Sequence, residues 1–184
     1  MSGFQGCTRS ARAFGPVRIA SPGAIVPEPS VFERSVEIAA PIAEVFAFHL
    51  DTRNAATVAP PEARMLDVTG EFPLTQGAVV TMRMRPAPGA PAQEWRVRVE
   101  TLEAPTRMVD VAERSPFTEW RHEHRFMALG PERTLMTDLV TYRPPLGALG
   151  RLGDRLVLRR MLARTFRIRH ERTKAALESA SPPP

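Results

Sequence analysis

The chain predicts an α+β fold, in which a seven-stranded antiparallel sheet carries two short helices after its first strand and packs against one long C-terminal helix. Three observations lead there. Between Pro145 and Pro182 there is no proline, and this stretch holds one apolar stripe at helical spacing. Upstream of it, period-two alternation recurs in short runs separated by Gly- and Pro-rich turns. The connections between those runs are too short for crossovers, so neighbouring strands are antiparallel.

The elements follow in order. Residues 1–30 carry glycine, proline and arginine without periodicity and are expected to be a mobile arm. Phe32, Val36 and Ile38 then alternate with Glu33, Ser35 and Glu37, the pattern of a half-buried strand. Pro41 opens a short helix, with Ile42, Val45, Phe46 and Leu50 on one face. A second helical piece over 51–59 ends at Pro60-Pro61. Strands are expected at Arg64–Thr69 and Ala78–Met84, then a Pro-rich loop over 86–91. Trp95, Val97, Val99 and Thr101 alternate with Arg96, Arg98 and Glu100, and Arg107–Glu113 follows the turn at Ala104-Pro105. Glu119–Leu129 and Thr134–Tyr142 form a hairpin across Gly130-Pro131. The domain is expected to span 31–180, with 181–184 as a tail.

The C-terminal helix, over Arg151–Glu178, would be about 42 Å long. At about 100° per residue, Leu149, Leu152, Leu156, Ala163, Phe166 and Leu177 form its stripe, with Leu162 at the edge. Arg159 and His170 fall near the centre of that stripe. Either they snorkel to water, or the stripe roofs a space that holds polar groups or a ligand.

Composition removes several function classes. Cys7 is the lone cysteine, so there is neither a disulfide framework nor a Cys-based metal site. No apolar run is long enough to be a transmembrane segment. With these features a cytoplasmic location is expected. The net charge of +5 is uneven. Residues 151–174 hold nine basic and two acidic side chains, while residues 28–150 are net acidic. Lys174 is the lone lysine, and the other basic residues are arginine. The basic helix can therefore be balanced by its own domain, and no nucleic-acid partner is expected. Walker loops, dinucleotide fingerprints and serine elbows are absent from the sequence.

This order of elements resembles the helix-grip fold of the SRPBCC superfamily, which includes START-like lipid carriers, birch-pollen-allergen proteins, and polyketide cyclases and dehydrases. The stretch from Val36 to Phe46, a strand and a small residue before Pro41 and a Val-Phe helix, is similar to that superfamily's N-terminal signature. A bacterial branch of it is similar in three further pieces: Pro116 to Phe126, with its Trp-x-His-x-His; Asp138 to Tyr142 with Pro144; and Phe166 to His170, with its Arg-His. The resemblance covers about residues 31–178. It implies a curved sheet wrapped around the last helix, with a cavity between them. Fold alone does not imply a function.

Trp120, His122, His124 and Phe126 lie two apart on one strand and share a face, while Arg121, Glu123 and Arg125 share the other. If the hairpin turn centres on Pro131, His124 lies opposite Asp138 and Trp120 opposite Tyr142. Three readings of the histidine pair stay open. They are polar groups tied up within the core; they recognise, with Arg159 or His170, the polar end of an apolar molecule; or they bind a metal. A third metal ligand is not evident, so no metal or other cofactor is expected. The candidate ligand-binding residues are Trp120, His122, His124, Phe126, Asp138, Tyr142, Arg159, Phe166 and His170. The leading expectation is binding of a small, largely apolar ligand. The alternatives are a cyclase/dehydrase-type enzyme with His124 and Asp138 as its acid–base pair, and a non-catalytic scaffold. His49, at the end of the first helix, is expected at the surface or as a cap.

Overall fold

The structure, a computed structural model, describes residues 28–179. The expected arm over 1–30 therefore lies outside the described residues up to residue 27, as does the tail over 181–184. The first strand already begins at Ser30.

The elements are β1 (Ser30–Ile38), α1 (Ile42–His49), α2 (Asn54–Val58), β2 (Arg64–Thr69), β3 (Val79–Arg85), β4 (Gln93–Glu103), β5 (Arg107–Arg114), β6 (Glu119–Gly130) and β7 (Arg133–Arg143), followed by a helical run. That run comprises α3 (Gly147–Gly153), a π-helical turn (Asp154–Leu158) and α4 (Arg159–Glu178). The seven strands form one antiparallel sheet in the order β1-β7-β6-β5-β4-β3-β2. β2 to β7 are a simple meander, as their short connections require. β1 pairs with the last strand, and α1 and α2 span the gap. Register shifts within β4–β5 and β2–β3 mark bulges, which bend strands and increase their twist.

The hairpin of β6 and β7 has the expected register, with His124 opposite Asp138 and Trp120 opposite Tyr142. Along β7 burial alternates strictly, and Thr134, Met136, Asp138, Val140 and Tyr142 point inward. α4 lies over this inner face and buries Leu162, Phe166, His170, Thr173 and Leu177.

This buried face differs from the expected stripe. Leu149, Leu152 and Leu156 are exposed to 75%, 57% and 56%, and Arg159 also faces solvent. The π turn is the physical reason. It accommodates an extra residue, which rotates everything before it by about 100° relative to one continuous α-helix. The wheel drawn at constant pitch thus fits α4 from Leu162 onward and fails at Arg159 and upstream of it. The helical run also starts earlier than expected, at Gly147. Leu146 and Gly147 both take positive φ there, and Gly150 is tied to the turn's geometry. A Cβ at Gly150 would sit 1.8 Å from the Pro145 carbonyl oxygen.

The inner face holds two apolar clusters. One gathers Ile38, Val45, Phe46, Phe126, Met136 and Leu177 among its members. The other is built on Val140, Tyr142, Leu162 and Phe166, with Phe32, Phe117, Trp120 and Leu158 against it. Between them, on β6, β7 and α4 alike, lies a layer of polar side chains.

Candidate functional site

That layer is centred on Asp138, which is fully buried. His122 Nε2 lies 2.9 Å from Asp138 Oδ1, and His170 Nε2 lies 2.6 Å from Asp138 Oδ2. A carboxylate only accepts, so both imidazoles present N–H to it. His124 Nδ1 is 2.8 Å from Oδ1 but lacks the alignment of a hydrogen bond, which makes it a close charge contact instead. Strand alternation puts His122 and His124 on one face of β6, pairing puts Asp138 opposite His124, and α4 lowers His170 onto them from above.

Two residues outside the candidate set complete the layer, Asp110 and His49. Asp110 on β5 pairs across the sheet with His122, and its Oδ2 lies 3.4 Å from His124 Nε2 and 4.0 Å from His122 Nδ1. His49 is not a free surface group. Its Nδ1 lies 2.7 Å from the Val45 carbonyl oxygen, and its ring packs 5.4 Å from that of His124 and 5.2 Å from that of Phe126. All four histidines of the chain therefore gather at one point.

The electrostatics follow from this crowding. Burial would raise the Asp138 carboxyl, but the charges and N–H groups of His124 and His122 outweigh it and hold it well below the usual range. Burial would lower His124, but the carboxylates of Asp138 and Asp110 on either side raise it to about 9. His122 is pushed down, first by burial and then by the charge on His124. His49 is pushed down for the same two reasons.

The remaining candidates flank the layer. Phe166 packs on His122 with ring centroids 5.3 Å apart, and Phe126 lies toward the other apolar cluster. Trp120 belongs to a half-buried aromatic wall. It stands 4.8 Å from Phe117 and 5.1 Å from Trp95, centroid to centroid. The Trp95 indole N–H is buried and has no hydrogen-bond partner among the described residues, and the same holds for His170 Nδ1. Tyr142 donates to Asp154 Oδ1 at 2.6 Å; burial, then that bond, raises its hydroxyl to about 12. Ser30 donates to the other Asp154 oxygen at 2.8 Å. Asp154, itself buried, thus ties the π turn to β1 and β7. Arg159 does not line the inner face. Its side chain is 56% exposed, with Nε 3.6 Å from Asp154 Oδ2. A small surface cavity of about 100 Å³, lined by Ser30, Thr118, Arg143 and Arg151 among others, shares no residue with the histidine cluster.

A family model described as polyketide cyclase / dehydrase and lipid transport matches residues 30–178. No curated protein matches the chain in sequence. Solved structures do match in fold. A START superfamily protein from Mycobacterium smegmatis superposes with a TM-score of 0.61 at 12% identity, covering 82% of this chain and 99% of its own. Protein CV1439 from Chromobacterium violaceum superposes with a TM-score of 0.65 at 14% identity, with 82% and 99% covered. The di-domain ARO/CYC StfQ from the steffimycin biosynthetic pathway gives a TM-score of 0.65 at 17% identity, covering 83% of this chain and 52% of its own. These similarities establish the START-like helix-grip fold.

Proposed function

The chain belongs to the polyketide cyclase / dehydrase and lipid transport family, and from that premise we propose that it binds a small, largely apolar molecule, lipid-like or polyketide-like, between sheet and C-terminal helix. The aromatic wall carries this reading. Trp95, Phe117 and Trp120 are half-buried at the end of the inner face, and the wall includes an indole N–H that is buried without a partner among the described residues. A buried donor left unpaired is costly unless something accepts from it. An apolar molecule with one acceptor would use both the ring faces and the N–H.

The neighbouring helical segment favours the same end of the molecule as the entrance. α3 and the π turn make their main contacts with each other and with α4, while Leu158 reaches the cluster that includes Phe117 and Trp120. With Asp154 tying the π turn to Tyr142 and Ser30, it is α3, whose main contacts are with that turn, that can move without unfolding the sheet. The histidine layer then forms the polar floor below the wall, with Tyr142 and Phe166 at its sides.

The cyclase/dehydrase reading, with His124 and Asp138 as acid–base pair, has weaker support. Asp138 is shared by three histidines, and His124 stands between two carboxylates that favour its charged form. It is poorly placed to accept a proton from a substrate.

The test is a fluorescence titration with a fatty acid and with a polycyclic aromatic acid, read through the chain's two tryptophans, Trp95 and Trp120. Trp120→Ala is expected to weaken binding by about 10-fold, the loss of one aromatic contact. Native mass spectrometry of the purified protein should also show a co-purifying small molecule. Equal affinity in the variant would remove the aromatic wall from the site.

A further inference from the structure

We propose that Asp110, His122 and His124 form a binding site for a divalent first-row transition-metal ion. Three atoms converge: Asp110 Oδ2, His122 Nδ1 and His124 Nε2, all within 4.8 Å of one another. The carboxylate oxygen stands 3.4 Å from one nitrogen and 4.0 Å from the other. Ligand atoms at about 2.0–2.2 Å from a shared ion lie roughly 3.0–3.6 Å apart, so bringing the Asp110 oxygen into range of both nitrogens takes movements of a few tenths of an ångström. Asp110 can make them: it lies at the edge of the cluster with its side chain 17% exposed.

The opposite ends of both rings point the same way. His122 Nε2 and His124 Nδ1 face the Asp138 carboxylate at 2.9 and 2.8 Å. Metal-binding imidazoles put one nitrogen on the ion and donate from the other to a carboxylate, which fixes tautomer and ring orientation; His122 donates in this way through Nε2, while His124 Nδ1 makes a close charge contact with the same oxygen. His170 in turn anchors the second Asp138 oxygen at 2.6 Å. Asp110 adds a second carboxylate on the side where the two rings present their remaining nitrogens. At 3.4 Å, its shorter contact is longer than an ordinary N–H···O bond.

Two imidazoles and one carboxylate, with coordination positions left over, suit Fe2+ or Zn2+. Asp110, which lies three strands from β1, is the third ligand that the spacing of the sequence does not reveal.

Tag-free protein stripped with a chelator is titrated by calorimetry with Zn2+ and Co2+ in air and with Fe2+ under argon. One ion per chain is expected, and Co2+ should shift the imidazole N–H proton resonances paramagnetically. Asp110→Asn keeps the side chain's shape and is expected to weaken binding at least about 100-fold, beyond the loss of an outer partner, with the melting temperature of the ion-free protein retained. Binding of no ion would overturn the site, and so would equal affinity in Asp110→Asn. Should that variant not fold, imidazole resonances of the unaltered protein that stay unshifted with Co2+ would overturn it too. None of these outcomes bears on whether an apolar molecule binds at the aromatic wall.

Discussion

Glu123 shows how position alone changes what a side chain does. It points to the outer face of β6, yet only 5% of it is exposed, because three arginines close over it. Arg107 Nε and Arg125 Nε donate to one oxygen at 2.9 and 2.8 Å, and Arg121 Nη1 donates to the other at 3.0 Å. Burial would raise its carboxyl, but the arginines outweigh it and lower it from 4.5 to about 2. A depressed folded-state value means that its contribution to stability is complete above pH 4.5 and is lost as pH falls from 4.5 to about 2. Acid melting curves should therefore fall less steeply for Glu123→Gln than for the parent over that window. The missing contribution is on the order of 1–3 kcal/mol, since the arginines stay partly solvated. Parallel curves would mean that the cluster contributes nothing measurable. At this scale the sequence was only partly readable. Alternation placed Glu123 outside and His122 and His124 inside, but it carries no sign that three arginines converge on Glu123. Asp110 was out of reach for a related reason. The connection from β5 to β6 does not fix a register in the way a tight hairpin does, so nothing in the spacing set Asp110 opposite His122.

At the scale of elements, the strands followed their alternation, and the hairpin of β6 and β7 followed its Gly-Pro turn. The helix did so only in part. Helical periodicity assumes a constant pitch, and the π turn at Asp154–Leu158 breaks it. The signal for it was an acid, Asp154, in a run otherwise apolar and basic. It is buried to bond Tyr142 and Ser30, and the helix gives way there to bring it in. Two substitutions separate the halves of the helical run. Phe166 is 1% exposed, so Phe166→Ala should cost about 3–5 kcal/mol. Leu156 is 56% exposed, and Leu156→Ser should change the unfolding free energy by no more than about 0.5 kcal/mol. Urea denaturation of both variants is the measurement. A core-sized loss at Leu156 would show that α3 and the π turn pack down on the sheet in solution, as the original stripe required.

Across the whole molecule, sheet and helix are joined at their centre by one carboxylate. Asp138 on β7 contacts His122 and His124 on β6 and His170 on α4, with an apolar cluster to either side along the helix. Burying a carboxylate costs several kcal/mol, which only well-placed partners offset. The arrangement therefore makes the two layers depend on each other: if α4 lifts, Asp138 loses the donor on its second oxygen, and if the β6–β7 register slips, it loses the His122 donor and the close His124 contact on its first. Asp138→Asn keeps the shape but removes the charge that faces three imidazoles. It should lower the unfolding free energy by about 3–5 kcal/mol, while the molecule still unfolds in one transition, because both apolar clusters span sheet and α4. Circular dichroism at a helical wavelength and tryptophan emission from Trp95 and Trp120 report on the two layers separately. Coincident, earlier transitions would agree with a central tie. A loss below about 1 kcal/mol would place the cohesion of the two layers in the apolar clusters alone, and split transitions would show that α4 can leave the sheet once the carboxylate is neutral.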